Sequence, residues 1–122
     1  MTHPDLDFRI LASHGGRLLT FKAGEVIFHS GEQGNVFYVI ETGRVDIRRG
    51  TKLIERLTHG DIFGEMAIID HSPRAADAIA ATDAKIFPVD EKRFLFLVTE
   101  MPYFGLSVMR VLTSRLRAAT IA

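Results

Sequence analysis

Hydrophobic residues change their spacing twice along the chain and divide it into three segments. In residues 4–14 and again in residues 91–119, apolar side chains recur every three to four positions, which is the spacing of one face of a helix. Between them, over residues 17–89, short apolar or β-branched stretches alternate with glycines, a pattern typical of strands joined by turns. The pattern therefore predicts one N-terminal helix, a β region and a helical C-terminal segment.

The β region contains strands of two kinds. Val45 and Ile47 alternate with charged residues, which predicts a strand with one buried face and one polar face. Residues 36–40 are apolar without interruption and predict a strand that is buried on both faces. Repeated short strands at this spacing favour a sandwich or a closed roll over units in which strands and helices alternate.

Two helices are predicted after the β region. Asp90 is a favourable N-cap for the first of them, and Pro102 ends that helix and suits the first turn of the next. The second helix has one apolar stripe, and its arginines, Arg110, Arg115 and Arg117, are expected on a solvated polar side. This helix is expected to pack on the roll, to form a dimer with a second copy, or to cover a pocket.

Residues 60–76 interrupt the strand pattern. Residues 65–69 lack alternation and are too apolar for a loop, so they predict one or two helical turns. Gly64 precedes them and allows a ligand to approach the backbone, and Pro73 keeps the residue before it extended, which aims Arg74. A guanidinium binds phosphate oxygens through paired charge-assisted hydrogen bonds, and a carboxylate accepts from a sugar hydroxyl. The segment therefore indicates a site for a small ligand that carries a phosphate and a hydroxyl.

Within this segment, residues 63–67 read Phe-Gly-Glu-Met-Ala and residues 73–76 read Pro-Arg-Ala-Ala. Together they resemble the phosphate-binding cassette of the cyclic-nucleotide-binding domain, and residues 21–28 and 37–43 resemble the first strands and turns of the same family. Its members include the regulatory subunits of protein kinase A, catabolite-activator transcription factors and cyclic-nucleotide-gated channels.

The resemblance implies a mainly β fold with flanking helices. The expected core is an eight-stranded, jelly-roll-like β-roll over residues 17–89, with the cassette at residues 63–76 and its short helix inside the roll. One N-terminal helix over residues 4–14 and two C-terminal helices over residues 91–119 would pack outside. The whole chain, residues 1–122, is thus predicted to be a single cyclic-nucleotide-binding domain.

The resemblance also implies roles for individual residues. Arg74 would bind the exocyclic phosphate oxygens, and Glu65 would accept from the ribose 2′-hydroxyl. Backbone amides that line the sugar-phosphate are expected at Gly64, Met66, Ala67 and Ala75.

Receptors that prefer cGMP often carry threonine at the position of Ala75, so the ligand is expected to be cAMP, with cGMP as the alternative. Asp77 departs from the neutral residue of many relatives and would oppose phosphate binding if it faced the pocket.

Composition excludes several kinds of chemistry. The 122 residues carry 15 basic and 15 acidic side chains and no cysteine, which excludes thiol catalysis and cysteine-ligated metals and predicts no direct binding to nucleic acid. The histidines lack metal-ligand spacing, and no serine lies in a nucleophile-elbow pattern. The protein is therefore predicted not to be an enzyme and to use no cofactor or metal. Because the longest apolar run is five residues, we also expect no membrane span and a cytoplasmic location.

The leading hypothesis is a stand-alone cAMP sensor, because a sensor cassette is present and no effector accompanies it. Its C-terminal helices would change conformation and signal to a protein effector, and the last of them offers a surface for a homodimer. Two alternatives stay open. One is the sensor part of a transcription regulator of the catabolite-activator type, and the other is a degenerate β-roll that no longer binds cyclic nucleotide.

Overall fold

The structure, a computed structural model, describes residues 17–121. Within these residues the chain forms eight strands and three helices. In chain order, β1 to β8 are Leu19–Phe21, Val26–Phe28, Val36–Thr42, Val45–Arg49, Lys52–Leu57, Ile62–Phe63, Asp77–Ala80 and Ala84–Asp90, and α1 to α3 are Met66–Ile69, Glu91–Glu100 and Pro102–Ile121. The N-terminal helix predicted over residues 4–14 lies outside the described residues.

The strands form two antiparallel sheets of four strands each. Their orders are β1-β8-β3-β6 and β2-β7-β4-β5. The chain passes from one sheet to the other at every step except the β4–β5 hairpin, which is the arrangement of a jelly-roll-like β-roll. The predicted mainly β fold with eight strands is confirmed.

Apolar side chains form two layers of core. Between the sheets, Ile40 and Ile86 of the first sheet share a cluster with Val45 and Leu57 of the second. The first sheet also packs against the helices through a second cluster, formed by Phe37, Val39, Ile62, Phe87, Val89, Leu97, Phe104, Val108 and Val111. Strand β3 contributes to both clusters, which explains why its sequence is apolar without interruption.

The polar face predicted for β4 is itself partly covered. Asp46 is only 6% exposed, although it alternates with the core residue Val45. Its carboxylate lies 3.3 Å from Arg56 Nε and 3.7 Å from Arg48 Nη2, so arginines from β4 and β5 cover it. Alternation alone therefore predicts which way Asp46 faces but does not predict its burial.

Helix α2 is capped as the sequence predicts, because Asp90 Oδ1 accepts from the Arg93 amide at 2.7 Å. Such a cap satisfies an amide that has no partner within the helix. We expect Asp90→Ala to lower the free energy of unfolding by about 0.5–2 kcal/mol in urea denaturation. Asp90→Asn keeps an acceptor oxygen and should stay close to the parent protein; equal losses in the two variants would contradict a capping role.

Helices α2 and α3 meet at a sharp bend. Pro102 begins α3, as its position in the sequence predicts, and Gly105 allows close packing because a Cβ there would lie 3.2 Å from Val98 Cγ2. In residues 17–121 no single helix is long and apolar enough to cross a bilayer; α2 and α3 meet that criterion only as a pair, which is bent by 119°.

Candidate functional site

A cavity of about 240 Å³ lies against the cassette. Its walls also include Phe28 of β2, Glu55 of β5 and Arg115 of α3. All six residues that the sequence assigned to a ligand site line this cavity: Gly64, Glu65, Met66, Ala67, Arg74 and Ala75. The structure therefore brings the predicted site residues into one pocket.

The backbone of the cassette turns sharply on both sides of α1. Gly64 has φ +80°, a conformation that favours glycine, and it places Glu65 directly before the helix. After α1, the amide of Ser72 donates to Asp70 Oδ1 at 3.0 Å, and hydrogen bonding to Ser72 lowers the pKa of Asp70. This turn precedes Pro73 and returns the chain toward the cavity at Arg74. The amide of Ala67 is already paired, because it donates to the Gly64 carbonyl at 3.3 Å.

Arg74 is fixed at both ends of its side chain. Its amide donates to the Glu32 carbonyl at 2.8 Å, and its carbonyl accepts from the Gly31 amide at 2.7 Å, so the loop after β2 holds the backbone. At the other end, Nη1 donates to the Gly64 carbonyl at 3.0 Å and Nη2 donates to the Val36 carbonyl at 2.9 Å. The guanidinium therefore has a position that is defined by hydrogen bonds within the protein.

The environment of this guanidinium is unusual for a buried cation. Arg74 is 8% exposed, and burial lowers its pKa. Its hydrogen-bond acceptors are neutral carbonyls, and within residues 17–121 no carboxylate lies within ion-pair distance of it. A guanidinium has five N–H donors, so three remain after these two bonds.

Two glycines leave space for the guanidinium, and one aromatic ring contacts it. A Cβ on Gly34 would lie 2.3 Å from Arg74 Cζ, and a Cβ on Gly64 would lie 2.5 Å from Nη1. The ring centroid of Phe28 is 4.2 Å from Cζ. Sequence reasoning missed Gly34 and Phe28, because a turn glycine and a strand phenylalanine carry no local sign of contact with a distant arginine.

Glu65, the predicted sugar ligand, already has a partner. Its Oε1 lies 3.3 Å from Arg115 Nη1, and Arg115 Nε lies 3.4 Å from Glu55 Oε2. The same guanidinium donates to the Ile62 carbonyl. The prediction that Arg115 belongs to a solvated face was wrong, since its side chain is 18% exposed and joins α3 to the cassette.

Asp77 does not oppose an anion in the cavity. Its Oδ1 accepts from the Ser30 amide at 2.7 Å and lies 3.8 Å from His29 Nδ1. The carboxylate therefore contacts the loop after β2, which in turn holds the backbone of Arg74. A structural role thus explains why this chain carries a charged residue where many relatives carry a neutral one.

Comparison with known proteins identifies a family and several similar chains. The family model of the cyclic nucleotide-binding domain matches residues 18–100. The chain is 38% identical over 81 residues to a cAMP-dependent protein kinase regulatory subunit of Candida albicans, which covers 66% of this chain and 18% of that protein. It is 27% identical over 106 residues to the cyclic AMP receptor protein of Thermus thermophilus, covering 83% and 49%.

A solved structure is similar as well. The catabolite activator protein of Thermus thermophilus superposes with a TM-score of 0.80 at 25% identity, and the match covers 93% of this chain and 55% of that one. This chain thus spans about a fifth to a half of the length of these relatives.

Proposed function

The chain belongs to the cyclic nucleotide-binding domain family, and on that premise we propose that it is a sensor whose ligand is a cyclic nucleotide, preferably cAMP. One observation carries the proposal: the guanidinium of Arg74 is buried beside the cavity with carbonyls rather than a carboxylate as acceptors. A buried cation without a counter-ion is costly. The phosphate of a cyclic nucleotide would supply that counter-ion.

Each proposed ligand residue has a chemical role. Arg74 offers its three remaining N–H groups to the exocyclic phosphate oxygens. Glu65 accepts from the ribose 2′-hydroxyl. The small side chain of Ala75 supports cAMP over cGMP, because it has no hydroxyl for the guanine amino group. Backbone contacts to the sugar-phosphate are assigned to Gly64, Met66, Ala67 and Ala75, and the Ala67 amide would share its hydrogen between the ligand and the Gly64 carbonyl.

The cavity wall has no net charge, because two carboxylates and two guanidiniums line it, but these charges are paired unevenly. Arg115 lies 3.3 Å from Glu65 and 3.4 Å from Glu55, so it partly offsets the two carboxylates. Arg74 has carbonyls rather than a carboxylate as hydrogen-bond acceptors, and the charges of Glu32 and Glu65 act on it only from farther away. The single negative charge of a cyclic phosphodiester would bind at this cation. We therefore assign the cavity a regulatory ligand, with no catalytic step and no metal or further cofactor.

Arg115 supports a route from the ligand to α3. The cavity has a volume of about 240 Å³, which is smaller than the roughly 300–1,000 Å³ typical of small-molecule sites, so we expect its wall to move when a ligand binds. Arg115 of α3 forms part of that wall. A ribose that bonds to Glu65 enters beside the Arg115 contact, so binding and the position of α3 are linked. In this proposal the movement of α3 is the signal that a protein effector receives.

We expect saturating cAMP to change hydrogen–deuterium exchange of the α3 amides around residues 108–118. In Arg115→Ala this change should shrink severalfold while the nucleotide still binds, because the link between Glu65 and α3 is lost. Arg110→Ala, an exposed arginine on the same helix, serves as the control and should behave like the parent protein. An undiminished response in Arg115→Ala would contradict the proposed route.

Isothermal titration calorimetry and thermal unfolding with cAMP, cGMP and 5′-AMP test the function directly. A ligand that binds only the folded state adds about 2.7 kcal/mol of stability at one hundred times its Kd. We expect cAMP to bind most tightly. The absence of heat and of a thermal shift at millimolar cAMP would refute the proposal and favour a degenerate β-roll.

A sensor part of a transcription regulator is the second candidate, favoured by the similarity to a cyclic AMP receptor protein. Met109 and Leu116 lie seven residues apart on α3 and are 58% and 67% exposed, so a second copy of the chain is a candidate partner for this helix. Light scattering with and without cAMP tests the dimer. A gel shift in which cAMP causes specific retention of a promoter fragment would favour this candidate.

A further inference from the structure

Among residues 17–121, Phe28 is the one aromatic side chain that both lines the cavity and lies against the buried guanidinium. Its ring centroid lies 4.2 Å from Arg74 Cζ, within the distance at which a cation is attracted to the face of a ring. Two carbonyls satisfy two of the guanidinium N–H groups but do not neutralise its charge. The ring of Phe28 therefore offsets part of the desolvation without using a donor, in addition to the more distant charges of Glu32 and Glu65.

The ring of Phe28 is itself held by other rings. Its centroid lies 6.2 Å from that of Tyr38 and 5.9 Å from that of Phe63, and the latter two rings stack at 5.1 Å. The ring centroid of Tyr38 also lies 5.8 Å from Arg74 Cζ, and burial raises the pKa of its hydroxyl. The three rings therefore form one aromatic cluster, and two of its members, Phe28 and Tyr38, lie next to the Arg74 guanidinium.

An aromatic partner has a different consequence for binding from an acidic one. A carboxylate beside Arg74 would compete with the phosphate, and its bonds to the guanidinium would have to be broken or shared when the ligand arrives. A ring attracts a cation that lies over its face through its quadrupole and takes up none of the five N–H donors in conventional hydrogen bonds. The ring can thus fix the guanidinium and leave its donors and its charge available.

We propose that Phe28 is a positioning residue for anion binding, which holds the Arg74 guanidinium by a cation–π contact so that the phosphate meets a fixed and unneutralised cation. This inference rests on the proposed function, because it assumes that the anion in the cavity is the phosphate of a cyclic nucleotide. It adds a residue of β2, 46 positions from Arg74 in the sequence, to the ligand site.

A double-mutant cycle tests the proposal. Phe28→Leu removes the ring and keeps an apolar side chain, and it should weaken cAMP binding about two- to thirtyfold in calorimetry. Phe28→Tyr keeps the ring and should restore most of the affinity. In an Arg74→Ala background, Phe28→Leu should have no further effect. An equal loss with and without Arg74 would overturn the proposal, because the ring would then act by packing or by direct contact with the ligand.

Two further measurements separate this proposal from the function on which it rests. Phe21→Leu removes another half-buried phenylalanine of the same core cluster and should leave affinity unchanged. The same cycle in urea denaturation needs no nucleotide, and Phe28 and Arg74 should be coupled there by about two- to thirtyfold in the unfolding equilibrium constant. Coupling without any cAMP binding would refute only the function; cAMP binding without coupling would refute only the role of Phe28.

Discussion

Arg74→Ala is expected to weaken cAMP binding about ten- to a hundredfold. The carbonyls of Gly64 and Val36 hold the side chain in place, so little of its conformational freedom remains to be lost to a phosphate. Alanine removes the charge and all of its N–H donors from a cavity in which Arg115, another arginine of the wall, is already engaged with two carboxylates. Within the described part of the chain, the cavity wall has no further cation that could replace it.

Calorimetry with cAMP measures this loss of affinity, and two further variants serve as an intermediate case and a control. Arg74→Lys keeps a positive charge but loses the paired donors, so its affinity should fall between those of the parent and of the alanine variant. Arg110→Ala removes an exposed arginine of α3 and should bind as the parent does. Unchanged affinity in a folded Arg74→Ala protein would show that the phosphate does not bind at this arginine.

Much of the fold could be predicted from the sequence because it depends on local patterns. Alternation predicted the strand containing Val45, the uninterrupted apolar run predicted the doubly covered β3, and Asp90 and Pro102 marked the ends of the C-terminal helices. These features need only neighbouring residues. The cassette was predictable for the same reason, since Gly64, Glu65 and Arg74 lie within eleven positions of one another.

The remaining parts of the site depend on contacts between distant segments. Arg115 lies 50 positions from Glu65 and 60 from Glu55, and helical periodicity indicates only that it faces away from the apolar stripe. That direction leads to solvent on an isolated helix, but here it leads to the cassette. Phe28 shows the same difficulty, because a strand residue that faces the interior is ordinarily a core residue, and only the folded roll places it beneath an arginine.

Gly34→Ala is expected to reduce cAMP affinity nearly as much as Arg74→Ala, about ten- to a hundredfold. Its effect on the free energy of unfolding should be much smaller than its effect on the free energy of binding. A Cβ at this position would lie 2.3 Å from Cζ and Nη2 of Arg74, so methyl group and guanidinium cannot occupy their present positions together. The guanidinium is the end of a flexible side chain and can move away, whereas the backbone is less free to move. The variant should therefore fold, with its arginine displaced from the carbonyl of Val36 and from the cavity wall.

Calorimetry and thermal unfolding on the same samples separate these two effects. Gly50→Ala is a suitable control, because a Cβ there meets nothing within 4 Å and its φ of +62° costs only the strain of a left-handed alanine, about 1–2 kcal/mol. We expect Gly50→Ala to lose some stability and keep its affinity. Gly34→Ala should lose mainly affinity, with the smaller loss of stability that follows when Arg74 leaves Phe28 and the Val36 carbonyl. In the double variant with Arg74→Ala, the Gly34 substitution should add no further loss, because the side chain that it displaces is gone. Additive losses would mean that Gly34 affects the ligand directly and that the position of Arg74 does not limit binding.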